Sequence, residues 1–313
     1  MSNQGIHLIS ICIPVFNEKE NIHSLYQALV ELTEVENAYD FEFSFSDNAS
    51  TDGTWGEITK LAEIDSRVRA IRFSKNFGFQ NSILANYAEA RGAAVVQIDA
   101  DLQDPPLLIS QFLREWEKGV AVAYGVRFER PENFVKRRLR RFGYLIIDLL
   151  SETKIPHDAG DFRLLDRKVV DALLSQSHAN PYIRGVIPGL GFQQVGIKYS
   201  RAERVNGESK FPLRSVFRLG FQGIINHSTM PLRLATYLGA AVLVFSFLTS
   251  VYSILAHFMN SDLPPGFTTT QLYLLASIGL NSLFLGIIGE YLLRIYRLLR
   301  KEPLVIVDRR IGS

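Results

Sequence analysis

Three short apolar runs early in the chain each stop at an Asn or an Asp, and this pattern restricts the fold more than any other feature. Residues 9–15 lead to Asn17, residues 41–46 to Asp47, and residues 93–98 to Asp99. Runs of this length, rich in β-branched or aromatic residues, read as buried strands. Helical spacing fills the intervals, from about 20 to 34 and on to about 65, with Ser50 or Thr51 placed to cap the second helix. A short strand over 69–73 and a turn at 75–80 precede another helix that runs to about 90. Repeated β-α units predict an α/β domain, a Rossmann-like and mostly parallel sheet with helices on both faces. Open sheets of this kind bind ligands beyond the carboxyl ends of their strands, so Asn17, Asp47 and Asp99 are expected to line one crevice.

The third strand end carries the densest chemistry. Asp99, Asp101 and Gln103 are spaced by two, which places their side chains on one side if the extended geometry persists. Two carboxylates and an amide suit Mg²⁺ or Mn²⁺, which take one or two protein carboxylates together with substrate phosphates. Asp104, Pro105 and Pro106 then read as a structural turn that ends the motif. The competing reading is an ordinary surface turn, since Asp and Pro are common there.

Further along, the character of the chain changes. Residues 234–258 contain no charged side chain, and neither do residues 272–289. A bilayer crossing takes roughly 20 apolar residues, so each run is about long enough to span. Arg214, Arg218 and Arg233 precede the first run, and Arg294, Arg297, Arg300 and Lys301 follow the second. The connecting loop has no Lys or Arg, so both outer flanks, and with them both termini, are expected on the cytoplasmic face of an inner membrane. Gly279 and Gly286, or Ala240 and Ala241, would permit close helix contacts and a homo-oligomer. A net charge of +2 argues against a nucleic-acid partner. The only cysteine, Cys12, lies in an apolar run, reads as a buried thiol, and excludes an internal disulfide. No basic flank precedes a long apolar core at the N-terminus, so no cleavable signal peptide is expected.

Taken together, Pro14, Asn17, Glu18 and Asn21, the Asp47–Thr54 segment and the Asp99–Pro106 segment resemble the successive motifs of GT-A glycosyltransferases of family 2. More narrowly they resemble the polyprenyl-phosphate glycosyltransferases, a group that includes dolichyl-phosphate mannose synthases and bactoprenol glucosyltransferases. The resemblance extends over the whole chain, membrane runs included. It implies a GT-A catalytic domain over 1–210, a juxtamembrane amphipathic helix over 211–231, a two-helix transmembrane hairpin over 232–293 and a cytoplasmic tail over 294–313. Pro14, Asn17 and Glu18 would surround the nucleotide, with Asp47 on the base and Asp99 towards ribose and sugar. Asp101 and Gln103 would ligate the metal. Asn48 departs from the pattern, which often has a second Asp there, but an amide also hydrogen-bonds a base or a ribose.

Arg127 follows an apparent strand at 120–124 and has the bidentate geometry a phosphate accepts, although a solvated surface arginine reads equally well. Residues 157–167 match the acceptor-side segment of the bactoprenol enzymes, with Asp161 as the base or the carboxylate that orients the acceptor, Asp158 as the competing candidate, and Arg163 beside it. A phosphate monoester has a second pKa of about 6 and needs little deprotonation at neutral pH, so Asp161 is expected to position as much as to take a proton. Arg201, Arg204, Ser209 and Lys210 match the family's acceptor-phosphate pattern, and also read as an ordinary basic flank at an inner leaflet. Over 133–151, Val135, Leu139, Phe142, Ile146 and Leu149 share one helical face beside Lys136, Arg137, Arg138, Arg140 and Arg141, as in an interfacial helix.

The resemblance thus implies an inverting, metal-dependent transfer of a hexose from a nucleotide sugar, UDP-glucose first, to undecaprenyl phosphate at a membrane. Within the same class, GDP-mannose or a UDP-aminoarabinose derivative are alternative donors. From another class, a non-catalytic membrane scaffold that retains a nucleotide-binding fold would share the strand pattern but would not need the metal residues.

Overall fold

The computed structural model describes residues 7–127, 159–176, 183–200, 266–299 and 303–312, together with isolated positions between 237 and 251. The chain separates into two units, one formed by Met1–Asn226 with Pro303–Ser313 and the other by His227–Glu302.

In the first unit, the apolar runs become strands β1 (His7–Val15), β2 (Tyr39–Asp47), β3 (Val68–Phe73) and β4 (Ala94–Gln97). Every residue of β1 from Ile9 to Val15 is buried, as expected of a strand covered on both faces. Cys12 is fully buried there. Helices α1 (Lys19–Val35), α2 (Thr54–Ile64) and α3 (Phe79–Glu89) connect these strands. In α1 the buried Ile22, Leu25, Leu29 and Leu32 repeat at three- and four-residue intervals, which gives one apolar stripe against the sheet.

Helix α3 is buried on more of its surface and bonds to β2 through polar groups. Ser44 Oγ donates to Asn86 Oδ1 at 2.6 Å, Asn86 Nδ2 donates to the Ser44 carbonyl at 2.7 Å, and the Ser46 and Ser82 hydroxyls meet at 2.9 Å. Satisfied groups of this kind fix one register between helix and strand.

Helix α4 (Leu108–Glu117) leads to β5 (Val122–Arg127). Beyond residue 127 the described chain resumes at β6 (Ala159–Asp166), followed by α5 (Arg167–Leu174), α6 (Ile183–Gly189) and β7 (Gln194–Tyr199). The Asp166 side chain accepts from the Lys168 amide at 3.0 Å and caps α5. A last strand, β8 (Val307–Ile311), completes an eight-stranded sheet in the order β7-β5-β6-β4-β1-β2-β3-β8. The pairs β1–β2, β1–β4, β2–β3 and β5–β7 are parallel, and β3–β8, β4–β6 and β5–β6 are antiparallel. The sheet is mostly parallel, as expected, with β4-β1-β2-β3 as its parallel centre and the antiparallel pairs towards its outer strands.

Two local expectations change, and two further placements are added. Neither Ser50 nor Thr51 caps α2; the N-cap is Gly53 at φ 97°, and Asp52 Oδ1 accepts from the Thr54 amide at 3.0 Å. Arg127 is the last residue of β5 rather than a loop residue after it. Asp161 and Arg163 lie within β6, where Phe162 and Leu164 face the main core on the alternate positions. Within 294–313, residues 294–299 continue a helix, and β8 pairs with β3.

The second unit contains α7 (Phe267–Leu299), which takes in the whole second charge-free run. Leu274, Ile278, Leu283, Leu285 and Ile288 are all exposed along it. Taken on the described residues alone, no helix is both long and apolar enough to cross a membrane. Most of the first charge-free run, the amphipathic segments at 133–151 and 211–231, and Arg201, Arg204, Ser209 and Lys210 lie outside the described residues.

Candidate functional site

At the carboxyl ends of β1, β2 and β4 the sheet opens into a cavity of about 780 Å³. Pro14, Phe16 and Glu18 line it from β1, Asn48 from β2, and Asp99, Asp101 and Gln103 from β4. Gly78, Phe79 and Ser82 contribute the α3 side, and Arg127, Gly160, Asp161 and Arg184 the far side.

On the β1–β2 side the backbone is tied down by a chain of bonds. Asn17 adopts φ 56°, a left-handed conformation that Asn tolerates better than most residues. Its amide donates to Ser50 Oγ at 2.9 Å, and its Oδ1 accepts from the Thr51 amide at 2.8 Å. The Glu18 amide donates to Thr54 Oγ1 at 3.0 Å, and the Lys19 amide to Asp52 Oδ2 at 3.1 Å. Burial opposes the charge on Asp52, but the Thr54 hydroxyl and amide and the Lys19 amide outweigh it and hold the carboxyl below its usual pKa.

Asp47 is fully buried. Its Oδ1 accepts from the Ser50 amide at 3.0 Å, and its Oδ2 lies 3.4 Å from Arg72 Nε. Arg72 also donates to the Ser50 carbonyl at 3.0 Å and lies over the Trp55 ring. Asn17 and Asp47 are thus at the expected strand ends but are not among the residues lining the cavity. Both brace the loop that presents Asn48. Asn48 Oδ1 accepts from the Phe77 amide at 2.8 Å, which joins this loop to the segment before α3.

After β4 the chain does not stay extended. Leu102 turns at φ 55°, and Asp101 Oδ1 accepts from the Gln103 amide at 3.2 Å. The expected common side of Asp99, Asp101 and Gln103 therefore does not follow from strand alternation. A tight turn instead brings the three side chains to the same cavity. The donor set fits a hard divalent cation: two carboxylates and an amide oxygen leave coordination positions for substrate oxygens. Among the described residues no group of three His, Cys, Asp or Glu could hold a metal ion without further ligands.

Asp104 is buried behind this turn. Its Oδ1 accepts a short bond from the Tyr199 hydroxyl, and its Oδ2 lies 3.9 Å from Arg127 Nη2. Burial, and then the Asp104 charge, push the Tyr199 hydroxyl pKa well up, so it stays a donor. Burial works against the Arg127 charge, but Tyr199, Asp104 and Asp99 outweigh it and keep the guanidinium firmly protonated. A Cβ at Gly160 would sit 3.0 Å from Arg127 Nη2, so a larger residue there would push the guanidinium aside by a few tenths of an ångström.

Asp161 is flanked by two guanidiniums. Arg184 Nε is 3.2 Å from Asp161 Oδ1, and Arg163 Nη2 is 4.0 Å from the same oxygen. Arg163 is buried, donates to the Gly160 carbonyl at 2.7 Å, and does not line the cavity. Arg184, which the sequence reading did not single out, does line it. Its signal was present: Arg184 is the only Asp, Glu, Lys or Arg between Asp171 and Lys198.

Residues 10–174 match the family model for glycosyl transferase family 2. A glycosyltransferase of Bacillus subtilis is 38% identical over 304 residues, covering 97% of this chain and 94% of that protein. A prophage bactoprenol glucosyl transferase homolog of Escherichia coli is 32% identical over 302 residues, covering 96% and 98%. Among solved structures, a mannosyltransferase of Pyrobaculum calidifontis, in complex with GDP-Man and Mn²⁺, superposes with a TM-score of 0.50. It is 16% identical, over 96% of this chain and 89% of that one, a likeness of fold.

Proposed function

The chain belongs to glycosyl transferase family 2 and is a glycosyltransferase, and from that premise we propose that it transfers glucose from UDP-glucose to the phosphate of a polyprenol at a membrane. The observation that carries this reading is the single cavity in which Asp99, Asp101 and Gln103 meet Arg127, Asp161 and Arg184. Acid ligands on one side and guanidiniums on the other suit a reaction with phosphate on both substrates. The choice of glucose and of a polyprenyl acceptor is supported by relatives named bactoprenol glucosyl transferase, 32–33% identical over 96% of the chain.

In this reading Pro14, Phe16, Glu18 and Asn48 enclose the nucleotide, while Asn17 and Asp47 keep the enclosing loop in place. Asp101 and Gln103 hold Mg²⁺ or Mn²⁺, with Asp99 towards the sugar. When bound, the cation acts as a Lewis acid on the departing diphosphate. Arg127, fixed by Tyr199 and Asp104, adds positive charge that needs no rearrangement as the bond breaks. Asp161 orients the acceptor phosphate, which attacks the anomeric carbon in line and inverts it. Much of the rate then comes from holding a membrane-borne nucleophile against a water-borne donor.

The proposed topology is a two-helix membrane hairpin with the catalytic unit on the cytoplasmic side. The charge-free runs, their basic outer flanks and the exposed Leu and Ile side chains of α7 support it. Arg201, Arg204, Ser209 and Lys210 would meet the acceptor phosphate at that surface.

The test uses the full-length protein in membranes with radiolabelled UDP-glucose, GDP-mannose and a UDP-aminosugar, each offered with undecaprenyl or dolichyl phosphate. Label from UDP-glucose is expected in the lipid phase with undecaprenyl phosphate. Label in the lipid phase from GDP-mannose alone would replace the donor assignment, and no label from any donor would overturn the lipid acceptor.

A further inference from the structure

The ion pair between Asp161 and Arg184 is asymmetric, and the asymmetry has a use. The Asp161 side chain is 9% exposed and that of Arg184 is 38% exposed. Both side chains line the cavity; Asp161 is fixed in β6, and Arg184 is the more exposed of the two. Arg163, the second guanidinium near Asp161, is bonded to the Gly160 carbonyl and is 5% exposed. Of the two cations beside this carboxylate, Arg184 is the one placed to meet a ligand.

The backbone under Arg184 is held firmly. The Ile183 amide donates to Gln80 Oε1 at 3.0 Å, and Ile183 and Ile187 are buried in the core that also takes Leu84 and Tyr87 of α3. Gln80 belongs to the helix whose Phe79 and Ser82 form another wall of the same cavity. The position of Arg184 is therefore referenced to both walls. An arginine already ordered by a carboxylate loses little further freedom when it grips a second anion. The matching anion is a phosphate, which accepts two parallel N–H bonds from one guanidinium.

We propose that Arg184 is a phosphate-binding side chain of this cavity, that Asp161 holds it in place, and that its ligand is a phosphate group of one of the two substrates. The proposal rests on the reading that both substrates carry phosphate. It gives Asp161 work that does not depend on taking a proton. A phosphate entering beside Asp161 is received by a cation that the carboxylate has pre-aligned, so Asp161 acts as a positioning residue through Arg184.

The test compares wild type, Arg184→Gln, Arg184→Lys, Asp161→Asn and the Asp161→Asn/Arg184→Gln double variant as full-length protein in membranes. Two constants are measured for each: KM for undecaprenyl phosphate in sugar transfer, and Kd for UDP with Mn²⁺. Arg184→Gln is expected to raise one of them at least tenfold and leave the other within about twofold. A raised KM identifies the acceptor phosphate as the ligand, and a raised Kd identifies the donor phosphates. Arg184→Lys should recover part of the loss, since charge remains but the bidentate fork does not. Asp161→Asn should weaken the same constant by less, and the double variant should match Arg184→Gln. If wild type transfers sugar but neither constant responds, the phosphate role is wrong and the proposed reaction stands. If wild type transfers nothing while the UDP constant still depends on Arg184, the reaction is wrong and the phosphate role stands. Should Arg184→Gln fail to fold, Arg184→Lys decides: no change in either constant overturns the role.

Discussion

The two sides of the cavity are held by different kinds of interaction. On the β1–β2 side, backbone amides meet side-chain oxygens at 2.8–3.1 Å in a closed set that links Asn17, Ser50, Thr51, Asp52 and Thr54. On the β5–β6 side, charged side chains face one another at 3.2–4.0 Å, with the more exposed member in the cavity. A set of short amide bonds has one arrangement, whereas a group of guanidiniums and carboxylates can exchange partners when a phosphate arrives. The first side is suited to recognise a rigid base and ribose, and the second to receive ionic groups that move during the reaction. One fold thus supplies a preformed half and an adjustable half of the same site.

The comparison breaks most sharply at the turn between the two sides. Asp101→Ala should lower sugar transfer by at least about a hundredfold, since a Lewis acid contributes several kcal/mol at a departing diphosphate. Radiolabel in the lipid phase measures it, with protein level and membrane fraction unchanged; transfer at the wild-type rate would remove Asp101 from the metal.

The preformed half is tested next. Arg72→Ala strands the buried Asp47 carboxylate and should cost about 3 kcal/mol of stability in a denaturant melt. It should also raise KM for the nucleotide sugar more than KM for the acceptor. An equal rise in both would mean that the two halves are not separable. Asn17→Ala removes the acceptor for the Thr51 amide and leaves alanine in a left-handed conformation, and the expected loss is about 2 kcal/mol in the same melt.

The smallest effect is acidic. The pKa of Asp52 is depressed in the folded state, so its stabilising contribution is present above the unfolded carboxyl value of about 3.9 and is lost as pH falls through the lower folded value. Wild type and Asp52→Asn should therefore differ at pH 7, and the gap should narrow as pH falls below about 3.9. A gap that does not change with falling pH would show that the carboxylate charge is not what holds the Thr54 amide.

Much of this half of the site is legible in the sequence because strand, turn and helix are local. The expected helix at 20–34 is α1 at Lys19–Val35, and Asp99, Asp101 and Gln103 do gather at one cavity. The reason first offered for their gathering fails at Leu102, whose left-handed φ no spacing rule anticipates. The adjustable half is less legible because its order is tertiary. Strand β6 carries Asp161 and Arg163 at alternate buried positions, and burial of charge is the reverse of the pattern by which strands are recognised. Arg184 carries no motif, and its role depends on β6, which comes before it in the chain and beside it in space. Strand β8 is equally hidden, since five residues with three charges become a strand only when β3 offers an edge.

That edge strand sets an order on synthesis. Arg69 Nε donates to the Gly312 carbonyl at 2.8 Å, across 243 positions of chain. While those intervening residues are being made, the β1–β4 core can form but the outer edge of β3 has no neighbour. An open edge of that kind is a template for unwanted pairing with other chains. The β3 edge therefore stays open throughout the emergence of α7 and is closed only when the last strand is made.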